Sequence, residues 1–158
     1  EVIVETGTAA GGSALYLASI CELLGHGEVV TIDIEARPGR PEHPHLRYLQ
    51  GSSTAPDTVA QVRELAAGRR CLVILDSDHS YAHVLEEMTL LAPLVSVGSY
   101  LIVEDTNVNG NPVLHGFGPG PREAVHEFLR RNADFEVDPA REKFLLTFNP
   151  RGYLRRKM

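Results

Sequence analysis

Residues 71–79, CLVILDSDH, set five apolar residues directly against Asp76-Ser77-Asp78-His79. An uninterrupted run of this length reads as a central strand of a parallel sheet, covered on both faces. In sheets of that kind the ligand crevice lies outside the carboxyl ends of the strands. A second such run, YLIV (residues 100–103), ends in Glu104-Asp105. Val2-Ile3-Val4 runs into a glycine-rich stretch, and VVTIDI (residues 29–34) carries Asp33 at its end. Helical spacing covers residues 13–24 (closed by Gly25), 56–67, 81–91 and 121–131, the last opened by a proline. Residues 46–49 read as a short strand, and residues 135–137 and 143–148 as an antiparallel hairpin about the DPARE turn. Five βα alternations and a terminal hairpin predict one doubly wound α/β domain, mostly parallel, with helices on both faces.

Composition sets the outer bounds. A chain of 158 residues, 43% hydrophobic and 23% charged, has ordinary globular make-up and excludes a disordered, fibrous or two-domain chain. Fifteen basic against 21 acidic residues leave a net charge of −6, so no nucleic-acid partner is expected. The basic cluster Arg151, Arg155, Arg156 and Lys157 reads as a solvated tail. Cys21 and Cys71 lie in apolar runs and read as small buried hydrophobes in a reducing cytoplasm. No apolar stretch approaches the ~20 residues of a membrane span, so no membrane partner is expected. The sequence opens inside a strand without an initiator Met, which predicts residues upstream of Glu1.

The residues after each strand carry the chemistry. Gly7, Gly11 and Gly12, with Ser13 opening a helix, would let the backbone lie against a ligand, or would simply make a tight turn. Asp33 lies 22 residues beyond Gly11, the spacing at which an acid reaches a ribose diol. The glycines lack GxGxxG spacing, and Glu5 puts negative charge where a pyrophosphate would approach. An acid there suits a ligand bearing an amino or sulfonium group, as S-adenosylmethionine does. Ser52, in Gly51-Ser52-Ser53, would lie near the adenine edge, with a helix-capping turn the equal alternative. Asp76, Asp78, Glu104 and Asp105 would converge at one sheet edge and need a counter-charge; hard oxygen donors suit Mg²⁺, Mn²⁺ or Ca²⁺. The bland alternative is helix capping and solvation. His79 beside them would serve as a general base, or would merely open a helix. Asn107, Asn109, Asn111 and His115 on the long loop are candidates for contacts to an acceptor.

ETGTAAGGS (5–13), LDSDHS (75–80), VEDTN (103–107), GPGPREAVHEFL (118–129) and FNPRGYLRR (148–156) resemble the cephalosporin hydroxylase family over nearly the whole chain. That family has the Rossmann-like fold of S-adenosylmethionine-dependent methyltransferases, and is similar to metal-dependent macrolide-sugar and rhamnosyl O-methyltransferases. The resemblance implies Asp76, Glu104 and Asp105 as ligands of a divalent ion such as Mg²⁺, and His79 as the base. It implies a cofactor site at Glu5, Gly7, Ser13 and Asp33, with Ser52 and Asp76 adjoining. The implied activity is transfer of a methyl group to a hydroxyl of a sugar or natural-product acceptor. The alternatives are a catalytically silent binder of the same cofactor and an antibiotic hydroxylase. A non-haem iron oxygenase would need two histidines with a carboxylate, and only His79 stands near the acids. The family also implies a helical N-terminal segment that covers the site and assembles homo-oligomers; the sequence is read as lacking it.

Overall fold

β-Branched and apolar residues at alternating positions build five parallel strands: β1 (Val2–Thr6), β2 (Glu28–Asp33), β3 (Leu46–Gln50), β4 (Cys71–Leu75) and β5 (Tyr100–Val103). β6 (Phe135–Val137) and β7 (Tyr153–Arg156) complete a seven-stranded sheet of order β3-β2-β1-β4-β5-β7-β6, with β7 antiparallel to both neighbours. The structure is a computed structural model that describes residues 1–143 and 146–158. The helices are α1 (Gly12–Leu24), α2 (Pro56–Ala66), α3 (Tyr81–Leu91) and α4 (Pro121–Arg131). α1 stops where Gly25 adopts a left-handed conformation (φ 75°), and its N–H caps the carbonyls of Cys21 and Glu22.

The main core lies on one face of the sheet. Val4, Val30, Val73, Leu75, Leu101 and Val103 pack there against Val62 of α2, Met88 and Leu91 of α3, and Val125 and Phe128 of α4. Truncating Leu101, which is fully buried, to alanine would cost about 2–5 kcal/mol. The opposite face is covered by α1, whose Ala14, Ala18 and Cys21 meet Val29, with Ile3 and Leu46 alongside. Because α1 lies over the β1–β3 side, Leu72 and Ile74 of β4 are only half-buried. The apolar run of β4 is thus fully covered on one face and partly on the other.

The doubly wound fold is present, with three differences from the sequence reading. There are four βα units rather than five, since β2 joins β3 through residues 34–45 without a helix. The hairpin partner of β6 is β7 at Tyr153–Arg156. Of the expected strand at 143–148, Phe144 and Leu145 lie outside the described residues, and the others are not in a strand. The basic C-terminus is therefore a strand rather than a tail, although Arg151, Arg155 and Lys157 are exposed as expected. Leu154 is buried, and Arg156 Nη1 donates to the carbonyls of Pro93 and Val95 at 3.1 and 2.6 Å. Strand alternation puts the leucine inward, while the arginine stem lies along the sheet end.

The chain leaves β1 toward β2 and β3, then returns to β4 on the other side of β1. That reversal opens a crevice above β1 and β4, where a doubly wound sheet binds its ligand.

Candidate active site

Gly7 shapes the floor of the crevice. Its φ of +87° is left-handed, and a Cβ there would sit 1.8 Å from the Asp76 carbonyl oxygen. Only glycine lets the end of β1 lie against the end of β4 so closely. Ala9 is also left-handed (φ 47°), and its N–H donates to Asp33 Oδ2 at 2.9 Å.

Asp33 is thereby tied to the glycine loop. Its Oδ1 accepts from the Glu35 N–H at 2.9 Å, and its Oδ2 also accepts from Arg40 Nη2 at 2.9 Å. Burial opposes ionisation of Asp33. The N–H groups of Glu35 and Ala9, with the Arg40 and Arg37 guanidiniums, outweigh it and hold the carboxyl below the usual range. Arg40 Nε donates to the Ala9 carbonyl at 3.0 Å, and its guanidinium lies 5.6 Å from the centre of the Tyr48 ring. The segment between β2 and β3 is so strapped over the glycine loop. Sequence reading passed over Arg40, which ties nearby Asp33 to distant Ala9.

A cavity of about 460 Å³ fills the crevice, within the range of small-molecule sites. Of the residues singled out for the cofactor, Gly7, Asp33, Ser52 and Asp76 line it, together with Ile34 and His83. Glu5 and Ser13 stand outside its lining. The Glu5 side chain turns beneath the loop, where its Oε2 accepts from Thr31 Oγ1 at 2.6 Å, and Thr31 meets Thr8 Oγ1 at 2.8 Å. Burial pushes the Glu5 carboxyl up, against the Ser13 and Thr31 hydroxyls. Glu5 is a buried brace under the loop rather than a wall of the cavity.

At its Asp76 end the cavity meets a carboxylate cluster. The ends of β4 and β5 are joined by the Glu104 N–H donating to the Leu75 carbonyl at 3.0 Å. Asp76, His79 and Asp105 then bring one ligand atom each within 4.8 Å of one another. His79 Nε2 lies 3.3 Å from Asp76 Oδ1 and 3.5 Å from Asp105 Oδ2. Asp105 is left-handed (φ 53°), an unusual state for a residue with a side chain, and its N–H donates to Asn149 Oδ1 at 2.9 Å. The hydrogen bond to the Asp76 carboxylate raises the His79 pKa against its burial, and the Asp105 and Asp78 charges add to the rise. Glu104 stands beside these three rather than among them. Burial pushes its carboxyl up, opposed by Asn149 and reinforced by the charges of Asp76 and Asp105. Asp78 accepts from the Ser80 N–H at 2.7 Å and so serves the turn into α3. The sequence reading set His79 beside the converging carboxylates; the structure places its imidazole within reach of two of them, Asp76 and Asp105. Asn149 was not singled out, although it stands in the FNPRGY stretch.

The donor set fits a hard divalent cation. Among the described residues no Lys or Arg forms an ion pair with Asp76, Glu104 or Asp105, and the His79 imidazole is the group that faces Asp76 and Asp105. Oxygen donors from two adjacent strand ends without a fixed cation are the chemistry of Mg²⁺ and Mn²⁺ sites.

Two of the loop asparagines are engaged with their own loop and with the start of α4. Asn109 Nδ2 donates to Glu123 Oε1 at 3.1 Å and its Oδ1 accepts from the Gly118 N–H, while Asn111 Nδ2 donates to the Val108 carbonyl at 2.9 Å. Asn107 is buried. The bonds of Asn109 and Asn111 hold the loop, while His115 is exposed and its side chain has no hydrogen bond among the described residues.

Residues 1–157 match a protein family described as Rhamnosyl O-methyltransferase/CmcI. The chain belongs to that family. A curated Rhamnosyl O-methyltransferase of Mycobacterium bovis (strain BCG / Pasteur 1173P2) is 43% identical over 162 residues, covering 98% of this chain and 66% of the relative. The chain thus spans slightly less than two thirds of that relative's length. Among solved structures, CmcI in its Mg-SAM form superposes with a TM-score of 0.67 at 22% identity, covering 99% of this chain and 65% of that one. The MycE methyltransferase of the mycinamycin pathway, with Mg and SAH, gives a TM-score of 0.60 at 21% identity, covering 84% of this chain and 35% of that one. These two show that this chain shares their fold.

Proposed function

We propose that this chain is the catalytic core of an S-adenosylmethionine-dependent, divalent-metal-dependent O-methyltransferase whose acceptor is a sugar hydroxyl on a natural product or glycolipid. The observation that carries this reading is that Asp76 belongs both to the lining of the cavity, with Gly7 and Asp33, and to the Asp76–His79–Asp105 cluster. The rhamnosyl name of the 43%-identical relative and the Mg-SAM and Mg-SAH states of the structural neighbours support it. The free cysteines agree with a reducing cytoplasm.

Each residue then has a task. Asp33 accepts from the ribose hydroxyls, and the exposed side chain of Ile34 offers an apolar surface to the base. Gly7 lets the main chain approach the methionyl part. Asp76 and Asp105 would hold the cation, with Glu104 adding a third oxygen donor from beside them. When bound, the cation would lower the pKa of an acceptor hydroxyl and the sulfonium would supply the methyl group. The His79 imidazole, held beside Asp76 and Asp105, would take the proton of the acceptor hydroxyl as general base and pass it on to water. Alignment of the reacting groups along one crevice supplies the orientation such a displacement needs.

The test is transfer of labelled methyl from S-adenosylmethionine to a rhamnosylated acceptor, with Mg²⁺ and with chelator. Methyl ether formed with Mg²⁺ and abolished by chelator is the expected result. Transfer that persists under chelation would refute the metal assignment, and cofactor binding without transfer to any sugar acceptor would point to the silent binder.

A further inference from the structure

Glu87 belongs to neither the cavity lining nor the cluster, yet its side chain is fully buried within α3. A buried carboxylate is costly unless its oxygens are partnered. Oε1 accepts from Ser77 Oγ at 2.7 Å and faces His83 Nε2 at 3.4 Å, one helical turn back. Oε2 has no partner among the described residues. Both partners reach the ligand space, since Ser77 and His83 line the cavity. His83 Nε2 lies 3.3 Å from Ser53 Oγ, which belongs to the same wall.

Nε2 is therefore the ring nitrogen turned toward the protein. Nδ1 has no hydrogen-bond partner among the described residues. A carboxylate behind one nitrogen fixes the proton there and leaves a lone pair on the other. We propose that Glu87 is a positioning residue that acts through His83, presenting Nδ1 as an acceptor to the base of the bound nucleoside and selecting a purine with an exocyclic amino group. The proposal rests on the reading that this cavity takes S-adenosylmethionine and its product. With the ribose on Asp33, the polar wall of Ser52, Ser53 and His83 faces the base. The second hold of Glu87, on Ser77, fixes the turn that carries Asp76, so one buried carboxylate steadies both ends of the crevice.

Calorimetric titration of the chain compares S-adenosylhomocysteine with S-inosylhomocysteine, in which the amino group is replaced by oxygen. The carboxylate also favours a protonated ring, so the titrations are run about two units above the ordinary imidazole pKa of ~6.5. The wild type is expected to prefer the adenosyl ligand by roughly tenfold, the worth of one good hydrogen bond. His83→Leu and Glu87→Leu should each bring the preference close to unity. Glu87→Gln, which keeps an acceptor for Nε2–H, should retain most of it. The double leucine variant should be no worse than His83→Leu alone, because both act through one nitrogen. A purely structural Glu87 would lower the melting temperature and leave the preference intact. His83 is partly exposed, so His83→Leu carries the test even where Glu87→Leu does not fold. Variants that keep the preference, or a wild type that binds both ligands equally, overturn the proposal and leave the cofactor reading standing. A wild type that binds neither overturns both.

Discussion

Replacing Asp33 by Asn separates its two tasks. The amide keeps an oxygen for the Glu35 N–H but puts an NH₂ group where Oδ2 accepts from Ala9 and Arg40, each at 2.9 Å. A hydrogen bond to a charged group is worth about 1.5–3 kcal/mol, and an exposed ion pair below about 1 kcal/mol. The Arg40 and Asp33 side chains are 11% and 13% exposed, so the contact falls between these limits. A loss of about 2 kcal/mol lowers the melting temperature by roughly 4–8 °C for a chain of this size. The ribose hydroxyls lose a carboxylate at the same time, which should weaken S-adenosylhomocysteine roughly 10–100-fold in calorimetry. Arg40→Ala is the control: it should lower the melting temperature by a similar amount and keep the carboxylate, so affinity changes far less. If Asp33→Asn melts early but binds within about twofold of wild type, Asp33 is a strut for the loop and the ribose assignment is refuted.

His79→Ala should depress turnover by roughly 10²–10⁴-fold in the methyl-transfer assay while cofactor affinity barely moves; retained turnover would remove it as the base. Gly7→Ala forces a Cβ to 1.8 Å from the Asp76 carbonyl at a left-handed φ, so folding or cofactor binding should be lost, and a variant with wild-type melting and affinity would contradict the close approach of β1 to β4. Burial opposes ionisation of Glu28, but the Arg69 and Arg47 guanidiniums outweigh it and hold the carboxyl below its ordinary value. Its stabilising effect is therefore complete above the unfolded pKa of ~4.3 and lost as pH falls through the lower folded value; Glu28→Gln should flatten that part of the acid melting profile, and an unchanged profile would count against the pairing.

The strands and the acids that end them were legible because both signals are local. CLVIL runs into Asp76 and YLIV into Glu104 without an intervening residue, and a parallel sheet sends those ends to one edge. The helix boundaries were equally plain, set by Gly25 after α1 and by prolines opening α2 and α4. What escaped depends on distant partners. Arg40 meets Ala9 across 31 positions, and Asn149 meets Asp105 across 44, so neither carries a local mark. Tyr153–Arg156 looked like tail because two adjacent arginines outweighed one buried leucine, yet the sheet edge beside β5 is what makes it a strand. Glu87 resembles any acid on a helix until α3 turns it inward over Ser77. The loop asparagines were read as contacts for an acceptor because polarity does not say whether a side chain faces outward or back to its own backbone.

The central claim is that one crevice holds cofactor and cation together, and diffraction from crystals grown with S-adenosylhomocysteine and Mn²⁺ tests it most directly. The account predicts an anomalous peak between the carboxylates of Asp76 and Asp105, and nucleoside density with its ribose on Asp33. Nucleoside density with no anomalous peak at that cluster, or a peak bound elsewhere on the chain, would contradict it.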